Sequence, residues 1–375
     1  MQKKIKVMSV FGTRPEASKM CPLVRVLSDA PDMESLVCVT AQHRDMLDSV
    51  LETFRVRPDF DLNIMKKGQT LTGITCAVLE GLEQVFASVR PDLVLVHGDT
   101  TTSFAGALAA FYQKIPVAHV EAGLRTYDRY SPFPEEMNRN LTGRLASYHF
   151  SPTESNRRNL LREGVTAPIF ITGNTGLDAF RYTIQENYTF RSPMLNQLLP
   201  AKEKIIVLTA HRRENQAGGI ANICRAVRRL TERHSDIRVI YPVHLSPTVR
   251  NIVFPLLEGC DRIHLTDPLD LEDMHNLLAA SYFVMTDSGG LQEEAPALGI
   301  PVLVLRTETE RPEAAEAGTV RVIGTDERSV LDEAEKLLTD FTAYRQMASA
   351  VNPYGDGRAS EKILEAIRSF ASELM

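Results

Sequence analysis

Short apolar runs alternate with longer segments whose apolar positions recur at helical spacing, and this continues almost to the end of the chain. Ile5–Phe11 has the length and apolar content of a buried strand, and Leu36–Thr40, Leu93–His97, Val117–Val120, Tyr148–Ser151 and Ile169–Thr172 read the same way. Helical patterns lie between them at Pro15–Ser28, His43–Phe54, Thr70–Val89, Thr101–Tyr112, from about Glu135, and at Glu154–Glu163. The Thr70–Val89 segment carries an apolar stripe through Leu71, Ile74, Val78, Leu82 and Val85. Strands alternating with helices predict an α/β protein whose parallel sheet is covered on both faces.

The rhythm breaks over 173–203: Thr175–Gln185 can form a helix, but Tyr188, Pro193 and Pro200 then interrupt any steady period. It then resumes with strands at Ile205–Thr209, Arg238–Tyr241, Ile263–Leu265, Phe283–Thr286, Val302–Leu305 and Val320–Ile323. The helical patterns of this half end with Glu327–Asp340 and Ser360–Leu374. A chain of 375 residues is too long for one ordinary core. Two domains are expected, 1–173 and 174–357, each a doubly wound α/β unit.

Composition narrows the class. With 43% hydrophobic and 24% charged residues the chain is an ordinary globular protein. A net charge of −6 argues against nucleic acid or an anionic membrane as the main partner. No run reaches transmembrane length. The 5 cysteines are scattered and form no CxxC, as expected of reduced thiols in a cytoplasmic protein.

The candidate chemistry falls where strands end, which is where ligands bind in open α/β sheets. Gly12-Thr13-Arg14-Pro15-Glu16 follows the first strand and opens a helix. It lacks GxGxxG, and no GxxxxGK[ST] is present, so dinucleotide and ATP loops are not supported. Arg14 and Lys19 instead put cations beside a helix N-terminus, which already favours anions. A solvated, charged helix start is the plainer alternative.

In the second half, Ser288-Gly289-Gly290 follows the strand Phe283–Thr286, and Ser288 can cap the helix that carries Glu294. Glycine lets a diphosphate approach the free N–H groups, and an acidic side chain one turn on can accept from a sugar diol. His211-Arg212-Arg213 follows another strand and can add phosphate contacts.

Asp99 and Glu121 leave adjacent or near-adjacent strands. Paired carboxylates separate into one acid and one base. A helix-capping role is the alternative for Asp99. Downstream of Glu121, Pro132 and Pro134 delay the helix until Glu135 and Glu136. His119-Val-Glu121 matches the HxE of zinc deaminases, but no PCxxC follows. No catalytic metal is expected.

Taken together, Gly12–Glu16, His97–Thr102, His119–Arg125, Pro132–Arg139, His211–Glu214, Ser288–Glu294, Glu310–Glu313 and Asn352–Gly357 resemble the bacterial non-hydrolysing UDP-N-acetylglucosamine 2-epimerase family over essentially the whole chain. The resemblance implies a GT-B-type fold of two Rossmann-like domains with an interdomain active-site cleft, the last helix, 358–375, rejoining the first domain. It implies reversible conversion of UDP-N-acetylglucosamine to UDP-N-acetylmannosamine by elimination and re-addition of UDP through 2-acetamidoglucal, without cofactor or metal. By the family pattern Arg14, His211, Ser288, Gly289, Gly290, Glu294 and Arg311 hold UDP. Lys19, Asp99, Glu121 and Glu135 are the catalytic or sugar-side groups, with His211 beside them. Gln42, His43, Glu136 and Arg213 stand where family members bind a second, activating substrate molecule, and a homodimer is implied. Three other functions fit the same motifs: a GT-B glycosyltransferase, a hydrolysing epimerase and an idle nucleotide-sugar sensor. Retention of Asp99, Glu121 and Glu135 together argues against the sensor, and the absence of a basic amphipathic segment argues against transfer to a membrane acceptor.

Overall fold

A computed structural model describes residues 3–41, 44–66, 68–199 and 202–374. Gln42 and His43 lie outside the described residues. The chain divides into two compact units, Met1–Tyr182 with Tyr354–Met375, and Thr183–Pro353.

The first unit is built on a seven-stranded sheet. Its strands are β1 (Ile5–Phe11), β2 (Met33–Val39), β3 (Phe60–Asp61), β4 (Leu93–His97), β5 (Val117–Val120), β6 (Tyr148–Ser151) and β7 (Ile169–Ile171). They lie in the order β3-β2-β1-β4-β5-β6-β7, and every pair is parallel. The second unit holds a six-stranded parallel sheet of β8 (Lys204–Thr209), β9 (Ile237–Pro242), β10 (Ile263–Thr266), β11 (Phe283–Thr286), β12 (Val302–Val304) and β13 (Val320–Val322). Its order, β10-β9-β8-β11-β12-β13, repeats that of the first unit over six strands. In both sheets the order reverses beside the first strand, which opens a crevice at the carboxyl ends.

Helical periodicity accounts for the packing. In the helix Leu71–Val89, Ile74, Val78, Leu82 and Val85 are buried against Met8, Val10, Val94 and Val96 of the sheet. Leu71, at the head of the same stripe, is 40% exposed. The helix Gly219–Arg233 buries Ile223, Val227 and Leu230 with Val239, Tyr241 and Phe283 in the second core. Each such side chain contributes about 1.5–3 kcal/mol by leaving water.

Some elements differ from their sequence reading. β2 begins at Met33, although the apolar run starts only at Leu36, because its first residues pair with Ile5–Val7. The two-residue β3 has no periodicity of its own and exists through its pairing with Cys38 and Val39. Expected as one helix, 175–185 forms a 3-10 turn at Leu177–Ala179 and a single turn at Phe180–Thr183. Buried Asp178 redirects this segment: its carboxylate accepts the amides of Ala359 (3.0 Å) and Ser360, capping the helix Ala359–Ser369. The helix Phe341–Ala348 was not expected; Asp340 caps it by accepting from Ala343 N at 3.0 Å. The terminal helical pattern splits into Ala359–Ser369 and Ala371–Leu374, and Phe370 between them stacks on Tyr148 of β6 with ring centroids 3.7 Å apart.

Candidate active site

The turn after β1 is tied down by a buried carboxylate. Thr13 caps the helix Arg14–Asp29, with Pro15 in its first turn, in a full capping box with Glu16. Glu16 is 2% exposed. Its Oε2 accepts from Gly12 N (3.0 Å), Thr13 N (2.8 Å) and Thr13 Oγ1 (2.8 Å). Its Oε1 accepts from Thr100 Oγ1 (2.7 Å) and Ser103 Oγ (3.0 Å). One carboxylate thus ties the turn after β1 to the turn after β4. Gly12 is required on steric grounds, since a Cβ there would stand 1.9 Å from Thr40 Oγ1. Arg14 is half-buried at the start of the same helix.

Lys19, one turn further in, reaches Glu121 just past β5, and the two form an ion pair through Lys19 Nζ and Glu121 Oε2. Buried His97, at the end of β4, places Nε2 3.0 Å from the same oxygen. Burial alone would raise the Glu121 carboxyl, but the Lys19 ammonium and His97 outweigh it and hold the group well below the usual carboxylate range. Glu121 is therefore ionised at neutral pH. Its backbone is left-handed, with φ of 61°, a conformation that a non-glycine residue adopts at a cost of about 1 kcal/mol or more.

Asp99 lies two residues past the end of β4, after Gly98. Thr100, not Asp99, caps the helix Thr101–Tyr112 by accepting from Ser103 N at 3.0 Å. That leaves the Asp99 carboxylate to Arg139, whose Nε and Nη2 lie 2.9 and 2.7 Å from Oδ2. Since β4 and β5 are neighbours, with His97 opposite Val120, Asp99 and Glu121 emerge side by side at one sheet end.

Glu135 and Glu136 open the helix Glu135–Leu145, preceded by cis peptides at Ser131–Pro132 and Phe133–Pro134. Glu135 is half-buried. Glu136 is 1% exposed and fully engaged. It accepts from Thr126 N (3.0 Å), Tyr127 N (3.1 Å) and Arg139 Nη1 (3.0 Å), pinning the loop that leads out of Glu121.

The second unit carries a different arrangement. Asp287, the residue after β11, is completely buried, and its Oδ2 accepts from His211 N (2.8 Å), Arg212 N (2.8 Å) and Asn215 Nδ2 (2.9 Å). This carboxylate shapes the turn after β8 and faces His211 Nδ1 at 3.5 Å. His211 also stacks on His244, with centroids 5.2 Å apart. Burial lowers the His211 pKa, Asp287 pulls it back, and His244 and Arg212 push it down again, leaving it below the ordinary histidine value.

Ser288 occupies the N-cap of the helix Gly289–Ala297 but makes no side-chain cap bond, unlike the cap read from the sequence. A Cβ on Gly289 would lie 3.5 Å from Arg311 Nη2 and 4.0 Å from Arg212 Nη2, so two guanidinium groups flank this helix start. Arg311 is held by an ion pair with buried Glu293. Half-buried Glu294 sits beside Gly290, 3.6 Å from where its Cβ would be. Arg213 is exposed in the 3-10 turn Arg213–Asn215. Helix N-terminus and guanidinium groups together suit a diphosphate.

Glu16, His97, Arg139 and Asp287 do not stand out as individual site residues in the sequence, whereas Arg212 falls within the His211–Arg213 run already read as a phosphate contact. Thr13-x-x-Glu16 after a strand was a legible capping-box signal. The others depend on partners 24 to 75 positions away in the chain, which no local pattern reports. Among the described residues no group of three or more His, Cys, Asp or Glu is placed to hold a metal ion, and no helix is long and apolar enough to cross a membrane.

Two Rossmann-like units, each with its polar groups gathered at the carboxyl ends of a parallel sheet, define an α/β protein of the GT-B type. The sequence model described as UDP-N-acetylglucosamine 2-epimerase matches residues 25–368. The UDP-N-acetylglucosamine 2-epimerase of Bacillus subtilis is 54% identical over 366 residues, covering 97% of this chain and 95% of its own. Among solved structures, S. aureus MnaA in its co-structure with UDP is 50% identical, with a TM-score of 0.86 over 99% of this chain and 98% of its own. The Neisseria meningitidis enzyme bound to UDP-GlcNAc is 44% identical, with a TM-score of 0.86 over 97% of this chain and 100% of its own. The chain belongs to the UDP-N-acetylglucosamine 2-epimerase family.

Proposed function

We propose that this protein interconverts UDP-N-acetylglucosamine and UDP-N-acetylmannosamine by epimerisation at C2. The observation that carries this reading is the pair of carboxylates, Asp99 and Glu121, at the ends of adjacent strands, each with its own cationic partner. A sugar C2 proton is too weakly acidic for a carboxylate to remove unaided. Removal becomes feasible if the C1–O bond to UDP breaks with it. The C2–H electron pair then forms a C1=C2 bond, and the C1–O pair departs on the diphosphate. The products are UDP and 2-acetamidoglucal. Return of the diphosphate oxygen to C1, with protonation of the opposite face of C2, completes the epimerisation.

This route needs an acid and a base on opposite faces and stabilisation of the departing diphosphate. Asp99, Glu121 and Glu135 are assigned to the proton transfers, with Lys19 keeping Glu121 ionised. Arg14, His211, Ser288, Gly289, Gly290, Glu294 and Arg311 are assigned to UDP, and Arg212 joins them because it flanks the Gly289 helix start. His211, largely neutral at pH 7, would act on the diphosphate as a hydrogen-bond donor. An activating second substrate molecule is assigned to Gln42, His43 and Arg213, with Glu136 acting by holding the 126–127 loop. A homodimer belongs to the same proposal, and sedimentation would measure it.

The test is incubation with UDP-N-acetylglucosamine in D2O, followed by proton NMR. Deuterium should enter C2 as a UDP-mannosamine-type product approaches equilibrium, with little free sugar. Unchanged C2–H, or stoichiometric free N-acetylmannosamine, would overturn the reading.

A further inference from the structure

The Gly98–Asp99 turn is held by more than its own strand. Gly98 is left-handed, with φ of 65°, and its N–H donates to Val120 O at 2.9 Å. Its carbonyl accepts from His119 Nε2 at 2.7 Å. The next carbonyl, that of Asp99, accepts from Asn138 Nδ2 at 2.9 Å. Both donors are buried, His119 at 1% exposure and Asn138 at 7%, and they approach from different elements, β5 and the helix Glu135–Leu145. Two successive peptide carbonyls are thus fixed independently of the Arg139 grip on the carboxylate.

We infer that His119 and Asn138 are positioning residues that set the direction in which Asp99 presents its carboxylate. This rests on the reading of Asp99 as a proton-transfer group. A carbonyl only accepts, so His119 Nε2 carries the proton and Nδ1 does not. Burial, reinforced by neighbouring His149 and Arg125, pushes the His119 pKa down to about 3, so the tether does not titrate near neutrality. Free rotation of the 98–99 peptides would swing the carboxylate by an ångström or more, and misplacement of about 1 Å can cost up to about a hundredfold in rate.

The experiment compares His119→Leu, His119→Gln and Asn138→Leu, each alone and combined with Asp99→Asn, by steady-state epimerisation and UDP titration. His119→Leu and Asn138→Leu should lower kcat about tenfold or more, with KM and UDP affinity within about threefold of the parent. His119→Gln should recover most of the loss, because its Nε2 reaches the position of the imidazole donor. Neither leucine variant should lower the rate further in the Asp99→Asn background, since both act through Asp99. Near-parental kcat in a folded leucine variant, or losses additive with Asp99→Asn, would overturn the inference. If His119→Leu fails to fold, Asn138→Leu carries the same test. Near-parental activity of Asp99→Asn itself would instead overturn the reading of Asp99.

Discussion

The two units share a strand order over six strands and differ in the charge each gathers at the carboxyl ends of its sheet. In the first, the strand ends present carboxylates: Asp99 gripped by Arg139, Glu121 by Lys19 and His97, and Glu16 spent on amides and hydroxyls. In the second, the carboxylate at the equivalent position, Asp287, is buried, and guanidinium groups flank a helix start. Topology decides where polar groups collect, because a parallel sheet leaves its switch-point crevice open. Side chains then decide whether that place moves protons or holds an anion.

The largest expected effect tests the proton-transfer role proposed for the first unit. Asp99→Asn or Glu121→Gln should lower turnover by at least about a hundredfold while UDP still binds, measured by steady-state kinetics and calorimetric titration. Near-normal turnover in either variant would remove that residue from the chemistry. Next in size is the scaffold. Glu16→Ala leaves two amides and three hydroxyls without their shared acceptor and should cost about 2–3 kcal/mol in urea denaturation. A loss below about 0.5 kcal/mol would mean that water substitutes for the carboxylate.

The anion-binding role proposed for the second unit should show in affinity. Arg212→Ala and Arg311→Ala should each weaken UDP binding about tenfold, and Asp99→Asn should not. Equal effects of all three variants would erase the division of labour between the units.

The last expected effect concerns pH. Buried His119 and His149 have pKa values pushed down to about 3 and about 4, in both cases chiefly by burial. Below about pH 6.5 the unfolded chain binds protons at these two sites that the native state does not. Stability should therefore fall as pH drops from 6.5 towards 4, by up to about 1.4 kcal/mol per pH unit for each histidine. His149→Phe should flatten the fall by about one proton's worth, read from urea midpoints between pH 6 and 4. An unchanged slope would show that His149 does not stay neutral in the fold.

Much of this was legible in the chain. Strand and helix alternation gave the α/β class, because a buried parallel strand must be a short apolar run and its covering helix must carry a stripe. Glu121, Ser288 and His211 could be placed at strand ends by the same reasoning. The Thr175–Gln185 pattern misled, since Asp178 there answers the unpaired amides of a helix 181 residues later. Ser288 was readable as a cap from its type, yet its hydroxyl makes no cap bond.

By itself the sequence determined the alternation of elements, the position of polar residues at strand ends, and the family to which the chain belongs. Those properties are local or cumulative, so they survive being read in one dimension. Tertiary structure alone decided which charges meet: Lys19 with Glu121 across 102 positions, Arg139 with Asp99 across 40, Asp287 with the amides of His211 and Arg212. The energy of a charge depends on its partner's distance and on the water excluded around both, and neither quantity exists until the sheets have formed.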